Sequence, residues 1–367
     1  FSAFWGVNRC ETLDLKHFIS QGIMDFDYLH LFVRDYRQAS HWYQSCFGFL
    51  LIDQITNSEQ ITGIFQQGQI TLLISAPSNP QGAIAHYLHH HPPGIGEVAF
   101  QVSNWSDFCE TLADFKIQTD PIVHPLTQAN GITFPAWGDV NHSVFPHRQT
   151  NFNLSKTGLM AIDHLVLNVS KADFQTASNW YQNLFNWHVQ QRFTITTPRS
   201  GLYSEALIDQ AGKVQFNLNR PDSPQSQIQT FLDHNRGPGI QHVAFSSQNI
   251  LQTVAKLREN AINFLPVPNT YYDQKQRQFE TENFGSQAII DWQTLQRLEI
   301  LIDSDHSPAQ PLLLQTFTQP LFGRSSLFWE IIERRHRATG FGEGNFQALY
   351  EAVEMSERRS PSIFNNL

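Results

Sequence analysis

The chain repeats itself, and the repeat narrows the possible folds more than any other feature. Residues 92–100 read "PPGIGEVAF" and residues 237–245 read "GPGIQHVAF", identical at six of nine positions. Residues 39–47 read "ASHWYQSCF" and residues 177–185 read "ASNWYQNLF", again alike at six of nine. A fainter pair precedes both, "FDYLHLFV" (26–33) against "IDHLVLNV" (162–169). Matched segments kept in the same order are the mark of a duplicated supersecondary unit. Each copy opens on an apolar strand, continues into a helix with the Trp-Tyr pair, and passes through alternating runs such as "QITLLISA" and "GKVQFNLN", which suit half-buried strands. A Pro-Gly turn then leads into "VAF" and another helix, where Ile250, Leu251, Val254 and Leu257 share one face in the second copy. The expected fold class is α+β, with repeated βαβββ modules curled into two tandem half-open barrels. The polar stretch "TNFNLSKTG" (150–158) is the expected linker, dividing the chain into 1–157 and 158–367.

The differences between the copies carry the chemistry. Asp27 matches Asp163, but Tyr28 stands where the second copy has His164, and Glu97 stands where it has His242. A histidine held only for packing has no reason to vanish twice while its neighbours stay. A pair of metal ligands does, once one copy keeps the site. A third ligand is expected late in the second copy. Glu330 lies inside the apolar run Leu327, Phe328, Trp329, Ile331, Ile332, and a carboxylate in such a strand needs a partner or a metal. Glu333, where the run turns charged, is expected to face solvent. Loosely aligned, Glu330 corresponds to Phe145 in the first copy. Two histidines and one carboxylate form a facial triad with open positions, a donor set suited to ferrous iron and oxygen chemistry.

Composition closes off other classes. The 367 residues carry a net charge of −9, the wrong sign for a surface that tracks nucleic-acid phosphates. No apolar run reaches the roughly 18 residues of a membrane span, and no export signal is expected at the N-terminus. The three cysteines, Cys10, Cys46 and Cys109, are scattered, which fits a reducing cytoplasm and no disulfide framework. The run His89–His91 reads as a solvated loop, since adjacent residues cannot all face one ion. "GFGEGNF" (340–346) resembles a phosphate loop only superficially, because no Gly-Lys-Ser/Thr follows. Beyond it, Phe346, Leu349, Tyr350 and Val353 are spaced for one helical face. A lid helix near 344–358, hinged on the glycines, is expected over the cavity mouth.

The second half resembles the 4-hydroxyphenylpyruvate dioxygenase family, of the vicinal oxygen chelate superfamily. The resemblance rests on "SQIQTFLDHNRGPGIQHVAF" (226–245), "FLPVPNTYYD" (264–273), "LLLQTFTQP" (312–320), "LFWEIIERR" (327–335) and "GFGEGNFQALYEAVE" (340–354). The first half is similar, more weakly, to that family's metal-free N-terminal module, through "YLHLFV" and "HWYQSCFGF". The resemblance implies one Fe(II) per chain on His164, His242 and Glu330. It implies a polar lining of Ser204, Asn219, Gln227, Gln241 and Gln315, and aromatic walls of Phe317, Phe328, Phe341 and Phe346. Of these, Asn219, Gln241, Gln315 and Phe317 are implied to act in catalysis. Arg220 departs from the family pattern, which commonly has Glu there, and the tail "RRSPSIFNNL" is longer than usual. The implied partners are a 2-oxo acid and O2, with a homo-oligomer, dimer or tetramer, as the assembly. The implied reaction is oxidative decarboxylation of 4-hydroxyphenylpyruvate, ring hydroxylation and side-chain migration to homogentisate and CO2. The rival readings are 4-hydroxymandelate synthase, an extradiol-type dioxygenase of the same fold, and a non-catalytic ligand-binding protein.

Overall fold

The structure is a computed structural model that describes residues 24–149, 154–196, 201–281, 290–304, 311–345 and 348. Its two halves follow one plan. The first runs β1 (Met24–Phe32), α1 (Tyr36–Ser45), β2 (Leu50–Thr56), β3 (Gln60–Gln67), β4 (Ile70–Pro77), α2 (Ala83–His90), β5 (Gly94–Val102), α3 (Trp105–Asp114), β6 (Asp120–Val123), β7 (Asn130–Pro135) and β8 (Asn141–Pro146). The second runs β9 (Leu159–Asn168), α4 (Phe174–Phe185), β10 (His188–Thr196), β11 (Gly201–Ile208), β12 (Gln215–Pro221), α5 (Gln227–Asn235), β13 (Gly239–Ser247), α6 (Ile250–Glu259), α7 (Asn269–Thr281), α8 (Trp292–Leu298), β14 (Leu301–Asp303), β15 (Leu312–Phe317) and β16 (Phe328–Arg335). Each half is therefore two βαβββ modules, and α7 and α8 are insertions in the last one.

Each half forms one eight-stranded sheet, ordered β2-β3-β4-β1-β5-β8-β7-β6 and β10-β11-β12-β9-β13-β16-β15-β14. The modules join where their first strands pair antiparallel, β1 with β5 and β9 with β13. Within a module the first strand runs parallel to the last, as β9 does to β12 and β13 to β16. These strands are central, and their sequences read as near-continuous apolar runs because both faces are covered: β5 is buried at every position. Helix α4 is amphipathic, burying Phe174, Ala177, Ser178, Tyr181, Leu184 and Phe185 along one stripe. Helix α5 starts where the Ser226 side chain accepts from Ile228 N, and stops at Arg236 in the left-handed region.

The halves share one aromatic core. Phe100 meets Phe185 at 5.5 Å and Trp187 at 5.9 Å between ring centroids, and Tyr181 lies parallel to Trp187. His142, buried among these rings, reaches Tyr181 Oη at 3.0 Å. His89–His91 is not a loop: His89 and His90 close helix α2. His91 is buried, joining Asn235 O of the second half at 2.6 Å and Asp139 at 2.9 Å. Its predicted solvation is corrected by its place between the halves. No helix among the described residues is long and apolar enough to cross a membrane. Cys46 and Cys109 are free thiols.

Burial holds the His142 imidazole down at a pKa of about 4, against an ordinary 6.5. Above pH 6.5 it is neutral folded or unfolded and contributes no pH dependence. Below 6.5 the unfolded chain takes up a proton that the folded state refuses until about pH 4, so stability falls as pH drops through that window. The loss from this group amounts to about 3 kcal/mol, at 1.36 kcal/mol per pKa unit. Urea unfolding at pH 7 and pH 4.5 should show a smaller loss in His142→Asn than in the wild type. An equal loss in the two proteins would remove His142 as the cause.

A candidate metal centre in the second sheet

Residues two apart on a strand share a face, so the strand register alone assembles a wall. His164 on β9 lies opposite Ala244 on β13, Ala244 opposite Glu330 on β16, and Glu330 opposite Phe317 on β15. This is the first tier. One step along, Val166 is opposite His242, His242 opposite Phe328, and Val166 opposite Asn217 on β12. That is the second tier. In the third, Asn168 is opposite Asn219, and Asn219 opposite Ser204 on β11. Gln241 falls at a register shift between Ile240 and His242, and its Oε1 accepts from Asn168 Nδ2 at 2.5 Å. Gln315 lies on the far side of the first tier, opposite Ile332.

Three of these side chains converge. The donor atoms of His164, His242 and Glu330 all lie within 4.8 Å of one another. His242 Nε2 is 2.6 Å from Glu330 Oε2, and His164 Nε2 is 3.3 Å from the same oxygen. Glu330 and His164 are each only 2% exposed. Burial would push the Glu330 carboxyl up, but the two imidazoles outweigh it and hold the group below its usual range. Burial would lower His164; the charges of Glu330 and Asp163 reverse that and raise it to about 9. For His242 burial wins, and its pKa is lowered. A divalent cation fits this donor set. Two imidazole nitrogens and a carboxylate already point at one place, and Glu330 Oε1 has no hydrogen-bond partner among the described residues.

A second layer fixes the first histidine. Asp163 Oδ1 accepts from His164 Nδ1 at 2.8 Å, which presents Nε2 to the cluster. Arg334 in turn grips Asp163 through Nε at 2.9 Å and Nη2 at 2.7 Å. Its Nη1 donates to Gly340 O at 2.8 Å, tying down the segment that carries Phe341. Phe341 stands edge-on to His164 at 5.1 Å, Phe328 stacks on His242 at 4.8 Å, and Phe317 meets His242 edge-on at 5.7 Å. Gly340 and Gly342 have φ of +78° and +74°. A Cβ on Gly342 would sit 2.6 Å from Gln315 Oε1, so this turn needs glycine.

The first sheet shows the same register with other side chains at the three places. Tyr28 is opposite Ala99, and Ala99 opposite Ser143. Tyr28, Glu97 and Ser143 therefore occupy the places of His164, His242 and Glu330. The expected match of Glu330 with Phe145 is corrected by two residues. Here the polar groups satisfy one another: Tyr28 Oη donates to Glu97 Oε1 at 2.8 Å, Ser143 Oγ donates to the same oxygen, and His30 Nδ1 lies 2.8 Å from Oε2. Tyr28, Ile64, Leu73, Ala99 and Phe145 fill the interior as a small apolar cluster.

The comparisons with known proteins agree with this layout. Residues 25–134 and 161–288 match the Glyoxalase/Bleomycin resistance protein/Dioxygenase superfamily. The chain is 55% identical over 340 residues to an uncharacterized protein of Synechocystis sp., covering 92% of this chain and 99% of that one. It is 35% identical over 340 residues to the 4-hydroxyphenylpyruvate dioxygenase of Legionella pneumophila, covering 89% and 93%. The chain belongs to the 4-hydroxyphenylpyruvate dioxygenase family. A solved mutant of 4-hydroxymandelate synthase from Streptomyces coelicolor superposes with a TM-score of 0.80 at 25% identity, covering 91% of this chain and 99% of that one. Membership implies a dioxygenase-type oxidoreductase with a divalent metal.

Seen as a member of that family, the chain shows where sequence reasoning fell short. Ser204, Asn219, Gln241, Gln315, Phe317 and Phe328 lie along the wall. Gln227 is buried in the first turn of α5, which lies against β9, β12 and β13. Arg220 points to the opposite face, over the Tyr203 ring at 4.6 Å, so it leaves Asn219 in place. Phe346 and the expected lid helix at 344–358 lie outside the described residues, apart from a 3-10 turn at Glu343–Asn345 and Ala348. Glu333 does not face solvent. It is buried, accepting from Ile250 N at 2.8 Å at the start of α6 and pairing with Arg335. Asn168, Asn217 and the Asp163–Arg334 pair were missed. The signal for Asn217 was its period-two spacing from Asn219.

Asp163 has a twin that acts as its control. Asp27 is gripped by Arg148 Nη2 at 2.7 Å in the half where the described residues form no counterpart of the His164–His242–Glu330 cluster. Asp163→Asn should weaken Co(II) or Zn(II) affinity by about 10–100-fold, the usual cost of losing such an outer partner. Asp27→Asn should leave that affinity unchanged. Competition titration against a chelator measures both, and equal losses would make the Asp–Arg pair purely structural.

Proposed function

We propose that this protein is an Fe(II)-dependent dioxygenase that converts 4-hydroxyphenylpyruvate and O2 to homogentisate and CO2. In this reading residues 158–367 are the catalytic half, and residues 1–157 are a metal-free scaffold. The observation that carries it is the tiered wall. The ligand cluster of His164, His242 and Glu330 occupies one end, and the polar groups of Ser204, Asn168, Asn219 and Gln241 occupy the other. The first and third tiers are four residues apart, about 13 Å along a strand. With side chains reaching inward, that leaves room for one aromatic ring between a 2-oxo acid at the cluster and a phenol at the amides.

Bound iron supplies the redox chemistry that lets dioxygen react with the oxo acid. The protein residues do the rest. Two neutral imidazoles and one carboxylate leave a divalent site with net positive charge, which favours the anionic substrate. Phe317, Phe328 and Phe341 keep water from the ligands and confine the ring. Ser204 Oγ and Asn168 Oδ1 have no hydrogen-bond partner among the described residues, and they offer polar atoms where the phenol would sit. Asp163 and Arg334 hold the His164 ring in the tautomer that binds metal.

The similarity to 4-hydroxymandelate synthase keeps a second outcome in view, oxidation at the benzylic carbon. Phe317 stands between the two products. It is buried against His242 and Phe328, where it presses the ring toward the oxidant, whereas a smaller residue lets the ring swing away. A change of about 1.4 kcal/mol between the two barriers alters the product ratio tenfold, within the range of one core substitution. Aerobic incubation with Fe(II) and 4-hydroxyphenylpyruvate, followed by mass spectrometry and NMR, should give homogentisate. Alanine at His164, His242 or Glu330 should abolish turnover. Phe317→Ile should divert a measurable fraction to 4-hydroxymandelate. If the unmodified protein makes chiefly 4-hydroxymandelate, the second reading replaces the first.

A further inference from the structure

Asn217 is a polar residue in the wrong place for an ordinary core. It is buried, 4% exposed, and its Oδ1 has no hydrogen-bond partner among the described residues. Leaving such an atom unsatisfied forfeits the hydrogen bonds it would make in water, so its presence asks for a reason. The register places it in the second tier, on the inward face, opposite Val166 and Ala206. That tier lies between the ligand cluster and the amides of the third, alongside the ring of a bound arylpyruvate. The neighbours nearest to it in this tier are apolar or belong to the cluster, namely Val166, Ala206, Phe328 and His242. The next polar side chain, Gln191, stands beyond Ala206 on the half-exposed edge strand β10.

The duplicate half shows the alternative. There β4 lies parallel to β1 with Leu73 opposite His30, and Leu73 is opposite Ile64 on β3. Tyr28 matches His164, so His30 matches Val166, Leu73 matches Asn217, and Ile64 matches Ala206. Leu73 and Ile64 plug the first barrel. In the second, the small Ala206 opens room and Asn217 lines it with an amide.

We infer that Asn217 is a specificity-determining residue, hydrogen-bonding a hydroxyl on the flank of the substrate ring, meta to the pyruvate side chain. The inference rests on the arylpyruvate reading above and extends the accepted substrates to ring-hydroxylated arylpyruvates with a meta hydroxyl. A hydroxyl both donates and accepts, so it satisfies the amide in either orientation. The third tier, by contrast, serves the para position. One active site thus has two polar stations along the ring, and Asn217 is the nearer to the metal.

The test is binding, without turnover. Protein loaded with Co(II) is titrated calorimetrically, without oxygen, with phenylpyruvate, 3-hydroxyphenylpyruvate and 4-hydroxyphenylpyruvate. The wild type should bind the 3-hydroxy acid at least fivefold more tightly than phenylpyruvate. Asn217→Leu, which installs the residue of the plugged half, should erase that preference and leave the ratio of 4-hydroxyphenylpyruvate to phenylpyruvate within twofold. Asn217→Ala should do the same with less bulk. A wild type that binds 3-hydroxyphenylpyruvate no better than phenylpyruvate overturns the inference without reference to any variant. A preference that survives in a folded Asn217→Leu overturns it too. Failure of the wild type to bind 4-hydroxyphenylpyruvate would instead sink the arylpyruvate reading itself.

Discussion

A carboxylate buried in a sheet must be met by positive charge or by hydrogen-bond donors, and Glu330 is met by two histidines from two other strands. That requirement organises the second half. Strand β16 must lie beside β13 to bring Glu330 to His242, and β13 must pair with β9 to bring in His164. The central three strands are then fixed in register. A one-residue slip would turn every ligand to the helical face. The aromatic rings around the cluster and the Asp163–Arg334 pair build outward from this arrangement.

The two barrels are a controlled comparison made by duplication. At matching places the first holds Tyr28, Glu97 and Ser143, which complete one another's hydrogen bonds. The second holds groups that have no hydrogen-bond partner among the described residues: Glu330 Oε1, Asn168 Oδ1, Asn217 Oδ1, Ser204 Oγ and both polar atoms of Gln315. A closed polar network stabilises a scaffold. An open one costs free energy in the empty protein and recovers it from a ligand. The Asp–Arg pair was kept in both halves, Asp27 with Arg148 and Asp163 with Arg334, so it ties the sheet in each. Each aspartate also meets a histidine, Asp163 the cluster's His164 and Asp27 the buried His124 at 3.4 Å.

The shared aromatic core explains why the halves remain one molecule. Phe100 and His142 from the first sheet are interleaved with Tyr181 and Phe185 of helix α4 and with Trp187 just beyond it. His91 adds a polar link to Asn235, at the end of the helix that precedes β13. Through this link the first half braces the approach to the strand bearing His242.

The sequence by itself determined the duplication, the two-barrel plan and the three residues that the fold brings together as the candidate cluster. The repeat marked His164 and His242 by their loss from the other copy, and Glu330 stood out as a lone charge in an apolar run. What it left open was register. A slip of two residues keeps every side chain on its own face, so periodicity could not separate Ser143 from Phe145 as the counterpart of Glu330. The insertion of α7 and α8 between β13 and β16 also stretched the alignment at that point. Glu333 looked solvent-facing because it lies among charges, yet its oxygen caps a helix distant in sequence. Asn168 and Asn217 looked like ordinary strand residues. Only the pairing of β12 with β9 aimed them inward and left their oxygens without partners among the described residues. Local sequence sets which face a side chain takes. The tertiary structure alone sets what stands opposite it, because strands far apart in the chain supply the partner.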